Sequence, residues 1–288
     1  MGIKTKIDWC DSSWSPVTGC LHGCEYCYAR RIAERFGGYD GASLVGQAAY
    51  TYAKTLDQAE LVETWEDVSF QVWSKKDERG QPAPGAHYVR APYPFGFKPT
   101  FHRELLDVPQ KWKKPRTIFV CSMADLFGEW VPDKWIKEVF DACRKAPWHQ
   151  YLFLTKNPVR YDMLEDAGLI TSEDQNFWLG STVTVETRDR LHGCAWMHTF
   201  QSCEPMLAPW PDAGKPNEKY RAWWPEWVIF GAETGNRKGK VIPEKAWVDN
   251  AVQMCRNMGA KVFMKESLRG IMGADFVQEF PWEVSKNA

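Results

Sequence analysis

Long apolar runs are absent from this 288-residue sequence, and so is an excess of charge of either sign. No stretch reaches the roughly 18 apolar residues that a membrane-spanning helix needs, so we expect no membrane span. The first six residues are too polar for a secretory signal segment. The formal net charge of −1 argues against a surface built for non-specific DNA binding, although it leaves room for a locally basic site.

A disulfide framework is not indicated either. The nine cysteines are odd in number, and the chain is not a small secreted domain. These features predict a reduced, cytoplasmic protein. A hydrophobic content of 44% is enough for a large α/β core, so we expect one domain over residues 1–288. Stretches at about residues 39–93 and 207–225 break the regular pattern and are interpreted as insertions, because ordinary connections are short.

Three cysteines stand together with C-x3-C-x2-C spacing: Cys20, Cys24 and Cys27. A loop this short can bring three thiolates around one metal centre, and its glycines relax the backbone. Iron–sulfur clusters are held by cysteine thiolates, usually four for each cluster. Three ligands would leave one iron of a 4Fe–4S cluster open to a small molecule.

Two other interpretations of these cysteines stay open. A structural zinc knuckle would need a fourth ligand, and His22 or Cys10 could supply it. Such knuckles usually pair two Cys or His hooks, and the sequence has no second hook. The thiols could also carry no ligand. The other six cysteines are scattered without ligand spacing, so we expect no second cluster.

Short apolar runs alternate with helical patterns along most of the chain, which favours a parallel sheet. About eight strands are predicted, and closing them gives a complete or nearly complete TIM-like (β/α) barrel. The predicted strands are 17–20, 95–101, 117–121, 151–154, 177–182, 198–203, 227–230 and 261–264. Helices are expected directly after the cysteine loop, after Pro132, from about residue 159 to Ala167, and from Pro243 to Gly259.

Polar residues follow six successive strands at the same relative place, where barrel enzymes gather their chemistry. Any one of them could merely cap a helix or a turn. As a set they predict one mouth lined with hydroxyls, carboxylates and lysines. They are Ser122, Asp125, Thr155, Lys156, Thr182, Thr184, Glu204, Glu233, Asn236, Lys265 and Glu266.

A basic, glycine-containing loop follows the seventh predicted strand. Its cations, Arg237, Lys238 and Lys240, suit a phosphate contact on the catalytic face. Arg188 and Arg190 could add to it. The alternative is an ordinary solvated loop.

The cysteine spacing, and the aromatic Tyr26 directly before Cys27, resemble the radical S-adenosylmethionine (SAM) superfamily. Over roughly residues 7–265 the chain also resembles a phage- and prokaryote-associated group of radical-SAM-like proteins. The motifs that carry this second resemblance are W-S-P-V-T-G-C at 14–20, S-M-A-D-L-F at 122–127, L-T-K-N-P at 154–158, C-E-P at 203–205 and G-A-E-T-G at 231–235. Two positions depart from the group, since Ala232 replaces a commoner Gly and Cys203 a commoner Val. These two departures bear on which substrate the resemblance implies, and they do not bear on the cluster.

The resemblance implies two cofactors, a 4Fe–4S cluster on Cys20, Cys24 and Cys27 and SAM on its open iron. The cluster would cleave SAM to a 5′-deoxyadenosyl radical, with electrons from a donor such as flavodoxin or ferredoxin. Many members of the superfamily have a six-stranded partial barrel. The residues expected to bind SAM are Tyr26, Ser122, Asp125, Thr155, Lys156, Thr182 and Glu204. The residues expected to act on the substrate are Glu233, Lys265 and Cys203.

The resemblance also implies a substrate. One set of phage proteins in the group is implicated in DNA hypermodification, which evades host restriction. There the enzyme isomerises a glycine linked through nitrogen to the thymine methyl into a carbon-linked form. A phage-encoded isomerase of this kind would work in the host cytoplasm on DNA or a nucleotide.

Three alternatives stay open at this point. The first is a radical SAM enzyme that acts on tRNA or a free nucleotide. The second is a photoproduct lyase, in which Cys203 or Cys121 would donate hydrogen. The third, of another class, is a zinc-binding nucleic-acid module without catalysis.

Overall fold

The computed structural model describes residues 5, 7–42, 59–64, 69–184, 197–210, 225–235 and 237–282. Its strands are β1 (Ser12–Trp14), β2 (Val17–Thr18), β3 (Gly41–Ala42), β4 (Val62–Glu63), β5 (Phe70–Trp73), β6 (Tyr88–Arg90), β7 (Thr100–Phe101), β8 (Thr117–Val120), β9 (Gln150–Thr155), β10 (Phe177–Thr182), β11 (His198–Cys203), β12 (Trp227–Phe230) and β13 (Lys261–Met264). Its α-helices are α1 (Tyr28–Arg35), α2 (Val108–Lys111), α3 (Asp133–Arg144), α4 (Val159–Asp166), α5 (Lys245–Met258) and α6 (Arg269–Met272).

Seven strands form the main sheet, in the order β1-β8-β9-β10-β11-β12-β13, and every pairing is parallel. The predicted complete or nearly complete TIM-like barrel is therefore wrong, because β1 and β13, the two end strands of the sheet, do not pair with each other and leave it open and curled. The physical reason lies at β13, whose outer edge is already paired. The Met264 amide donates to Val277 at 2.9 Å and the Glu279 amide donates to Val262 at 2.9 Å, so an antiparallel segment ends the sheet there.

Two of the eight predicted strands are also wrong. The first strand of the sheet is β1, whereas Val17 and Thr18 lie in β2, which pairs antiparallel with β7. The predicted strand 95–101 is reduced to β7, which joins β2 and β4 in a separate small sheet. The six later strands and the four predicted helices are confirmed, with small shifts at their ends.

The two faces of the main sheet have different cores. The outer face packs against α3 through Ile136, Val139 and Phe140. The concave face is filled at its lower end by aromatic rings, which include Trp9, Phe200 and Trp227. The apolar floor thus ends partway up the strands and leaves polar residues at their C-terminal ends.

The predicted insertions are described only in part. The first contains β3 to β6, with residues 43–58 and 65–68 outside the described part of the chain. Of the second, residues 211–224 lie outside it, as do Arg188, Arg190 and Asn236. In the described ranges, no helix is long and apolar enough to span a membrane.

Candidate functional site

The C-terminal ends of the main-sheet strands surround a cavity of about 500 Å³. Most of the predicted site residues line this cavity, as their positions at strand ends require. Those that line it are Cys20, Cys24, Tyr26, Cys27, Ser122, Asp125, Thr155, Lys156, Thr182, Glu204, Glu233 and Lys265. Among the described residues, six predicted site residues lie outside its wall: Thr184, Cys203, Arg237, Lys238, Lys240 and Glu266.

The cysteine loop forms one wall of the cavity, between β2 and α1. Gly19 opens it with φ of +82°, and a Cβ there would lie 2.2 Å from the Lys98 carbonyl oxygen, so a larger residue does not fit. The Cys27 amide donates to the Cys24 carbonyl at 3.2 Å. The Cys27 sulfur accepts a hydrogen bond from the Arg30 amide at 3.3 Å and so caps α1. The loop is therefore fixed at both of its ends.

The three thiols of this loop fit an iron–sulfur cluster in donor type, and all three are half-buried and line one cavity. In this structure, however, the three thiols do not converge on one point. Across the described residues, no group of three or more His, Cys, Asp or Glu side chains is arranged to hold a metal ion. Burial raises the pKa of the Cys20 thiol to about 12. Metal binding would therefore require the thiols to converge and Cys20 to lose its proton.

Asp125 fastens the cysteine loop to the sheet. Its Oδ1 accepts hydrogen bonds from the Thr155 hydroxyl at 2.7 Å and the Phe127 amide at 3.0 Å. Its Oδ2 accepts from His22 Nε2 at 2.7 Å and from the Lys156 amide at 2.9 Å. The side chain is almost fully buried. Asp125 thus positions other groups of the site, and its predicted contact with SAM would have to displace one of these donors.

The His22 side chain links the cysteine loop to Asp125. Because the carboxylate has no proton to donate, the imidazole Nε2–H is the donor. The ring edge also packs against Trp130, with ring centroids 4.9 Å apart. For the zinc-knuckle alternative, only Nδ1 of His22 is left to bind a metal.

Two lysines reach the cavity from strands that are not neighbours, Lys156 after β9 and Lys265 after β13. The Lys156 ammonium donates to the Tyr26 hydroxyl at 2.9 Å and lies 5.3 Å from the centre of its ring. Lys265 forms an ion pair with Glu204. Gly231 makes room for that pair, since a Cβ there would lie 3.1 Å from both Glu204 Cγ and Lys265 Cδ. Lys265 and Glu204 therefore neutralise each other, whereas Lys156 is hydrogen-bonded to a neutral group.

Glu233 is also paired within the protein. Its carboxylate accepts two hydrogen bonds from the Arg237 guanidinium, at 2.6 and 2.8 Å, and these lower the pKa of Glu233. Arg237 is thus engaged before any phosphate arrives. The Lys240 ammonium donates to the Gly235 carbonyl at 3.2 Å. Of the cations predicted to bind phosphate, Arg237 is therefore held by a carboxylate, whereas Lys240 is held only by a backbone carbonyl.

Cys203 points away from the cavity. Side chains alternate along β11, so Ser202 and Glu204 line the cavity while Cys203 packs with Val248 and Cys255 on the outer face. Burial raises the pKa of the Cys203 thiol to about 12. Its predicted action on the substrate has no geometric support in this arrangement.

Arg31 and the apolar floor are lining groups that were not predicted. Arg31 projects from α1 into the cavity wall, four residues after Cys27, one helical turn beyond the last thiol. That spacing could have indicated it. Trp9 and Phe119 form part of the floor, and their positions depend on the pairing of β1 with β8.

A family model described as a protein of unknown function (DUF5131) matches residues 4–269. No curated protein matches the sequence. No solved structure matches it either.

Proposed function

We propose a function for this chain, which belongs to the DUF5131 family of proteins of unknown function. The chain is a radical SAM enzyme that holds a 4Fe–4S cluster through Cys20, Cys24 and Cys27. The observation that carries the proposal is that these three spaced thiols line one cavity, together with polar groups that suit an amino-acid cofactor. When bound, the cluster and SAM would supply a 5′-deoxyadenosyl radical, with electrons from a donor such as flavodoxin or ferredoxin.

The chain's own residues have distinct roles in this proposal. Lys156 binds the carboxylate of SAM, because its ammonium faces the cavity without a carboxylate partner among the described residues. Tyr26 holds Lys156 in place. Glu204 binds the ammonium or the ribose hydroxyls of SAM, and Lys265 holds its carboxylate in position through their ion pair. Asp125 positions the cysteine loop through His22.

The proposed substrate is a modified thymine in phage DNA, and the reaction is an isomerisation. The net change replaces the C–N link between a glycyl unit and the thymine methyl with a C–C link, and no atom is gained or lost. Glu233 and Lys265 lie on the cavity wall where they could contact the glycyl ammonium and carboxylate. A tRNA base or a free nucleotide is the alternative substrate. A photoproduct lyase has less support, because both proposed hydrogen donors, Cys203 and Cys121, are buried outside the cavity wall.

The test is anaerobic reconstitution with iron and sulfide, reduction, addition of SAM and an assay for 5′-deoxyadenosine. Wild type is expected to form it, and Cys24→Ala is expected to lose it. Cys255→Ala is the matched control, because Cys255 is a buried core thiol on the outer face of the sheet. If reconstituted wild type leaves SAM intact, or if Cys24→Ala is as active as Cys255→Ala, the proposed function is wrong.

A further inference from the structure

One corner of the cavity mouth carries more positive than negative charge, and it is built around Gly235. The Arg31 guanidinium lies against this glycine, with Nη2 3.6 Å from the place where a Cβ would be. The Lys240 ammonium donates to its carbonyl oxygen at 3.2 Å. Two cations from distant parts of the chain, α1 and the loop after β12, therefore meet at one backbone position.

The nearby carboxylates are engaged mainly by a third cation. Glu233 holds Arg237 with two hydrogen bonds. The charge of Glu25 acts on Arg237 as well. Within the described part of the chain, neither Arg31 nor Lys240 forms an ion pair with a carboxylate. The charge of Lys240 also acts on Glu233. The corner thus has three cations against two carboxylates, and this excess of positive charge favours an external anion.

The position of Arg31 in α1 also favours an anion at this corner. Arg31 and Arg30 lie near the N-terminus of α1, whose first turn has no acidic residue. Cations are unfavourable there, because the helix dipole already places partial positive charge at that end. A bound anion would remove this cost, which gives the arrangement a physical reason.

We propose that Arg31 and Lys240 form a phosphate-binding site at the mouth of the cavity, which holds a phosphate of a nucleic-acid strand next to the base being modified. The choice of a nucleic acid rests on the proposed function, whereas the anion site rests on the geometry alone. The cavity floor is apolar and aromatic, with Trp9 and Phe119, and suits the face of a base. A base that leaves its stack to enter the cavity would keep its flanking phosphate at the rim, where these cations lie.

The site is tested by the binding of a fluorescein-labelled single-stranded DNA of about 12 nucleotides, followed by anisotropy between about 50 and 200 mM NaCl. The full-length protein is used without added SAM. Arg31→Gln and Lys240→Gln are each expected to weaken binding about tenfold. Each is also expected to lower the slope of log K against log salt by about 0.7, the value for one lost contact on a single strand.

Two further variants keep the result unambiguous. Arg35→Gln removes a charge from the same helix on an exposed position away from the cavity, and it should bind like wild type. Arg31→Lys should keep most of the salt slope, because it retains the charge, and it excludes loss of folding as the cause. If wild type does not bind the DNA, or if Arg31→Gln and Lys240→Gln match Arg35→Gln in slope and affinity, the phosphate site is refuted. Salt-dependent binding through Arg31 and Lys240 without SAM cleavage would refute the proposed function and leave the phosphate site standing.

Discussion

Replacement of Asp125 by asparagine should destabilise the protein far more than removal of one negative charge suggests. Each carboxylate oxygen accepts one backbone N–H, from Phe127 on the Oδ1 side and from Lys156 on the Oδ2 side. An amide has one NH2 group in place of one oxygen. In either orientation, that NH2 faces a backbone N–H, so one buried donor is left unsatisfied and the other bonds lose a charged acceptor.

The magnitude follows from these contacts. A hydrogen bond to a charged group contributes about 1.5–3 kcal/mol, and a buried unsatisfied donor costs about 1–3 kcal/mol. Because the surroundings relax in part, we expect Asp125→Asn to lower the free energy of unfolding by about 2–4 kcal/mol.

The assay is urea denaturation of the metal-free protein at neutral pH. The matched control is Asp166→Asn, an exposed aspartate at the end of α4, which should change stability by less than about 0.5 kcal/mol. Equal stability of the two variants would show that Asp125 does not accept the four hydrogen bonds on which its positioning role depends.

Two further predictions concern the core and the acid stability. Gly180→Ala would place a methyl group 2.3 Å from the Phe200 ring and should destabilise the fold by about 1–3 kcal/mol. Gly270→Ala meets nothing within 4 Å and is the control in thermal unfolding; equal effects would contradict the packing of the concave face. Burial of Glu104 raises the pKa of its carboxyl group. The hydrogen bond and charge of His102, the hydrogen bond of Thr64 and the charge of Arg90 have a larger, opposite effect, so that this pKa falls from 4.5 to about 2. The Glu104 carboxylate therefore stabilises the fold above pH 4.5, and this stabilisation is lost as the pH falls toward 2. In urea titrations, Glu104→Gln should have a lower free energy of unfolding than wild type at pH 7, and the difference between the two proteins should narrow below pH 4. A difference that stays constant with pH would refute a stabilising role for the charged carboxylate.

Much of the sheet could be predicted because its strands are short apolar runs, buried on both faces. The strands around Phe119, Phe153 and Ile229 are of this kind. The first strand, β1, was not predicted because Ser12 and Ser13 give it no apolar run. Its place in the sheet depends on its pairing with β8, which lies far away in the sequence. The sequence predicted a closed barrel, and that the sheet stays open could not be predicted for the same reason, since the segment that occupies the edge of β13 lies in a part of the sequence without strand character.

The candidate site was predictable to a similar extent. Parallel strands bring their C-terminal ends to one edge, so Lys156, Glu204 and Lys265 had to lie along the same edge of the sheet. The orientation of Cys203 could have been read from alternation with its neighbours on β11. The pairing of Glu233 with Arg237 is a loop contact, and only the three-dimensional path of that loop reveals it.

The most direct test of the central claim is the metal content of the protein after anaerobic purification and reconstitution. Iron and sulfide are measured for each chain, with zinc in parallel, and the spectrum of the reduced protein is recorded with and without SAM. We predict about four irons and four sulfides, as one 4Fe–4S cluster requires, their loss in Cys24→Ala, and a spectrum that SAM changes. One zinc ion with no iron, and a spectrum that does not respond to SAM, would contradict the account and make the three cysteines a structural knuckle.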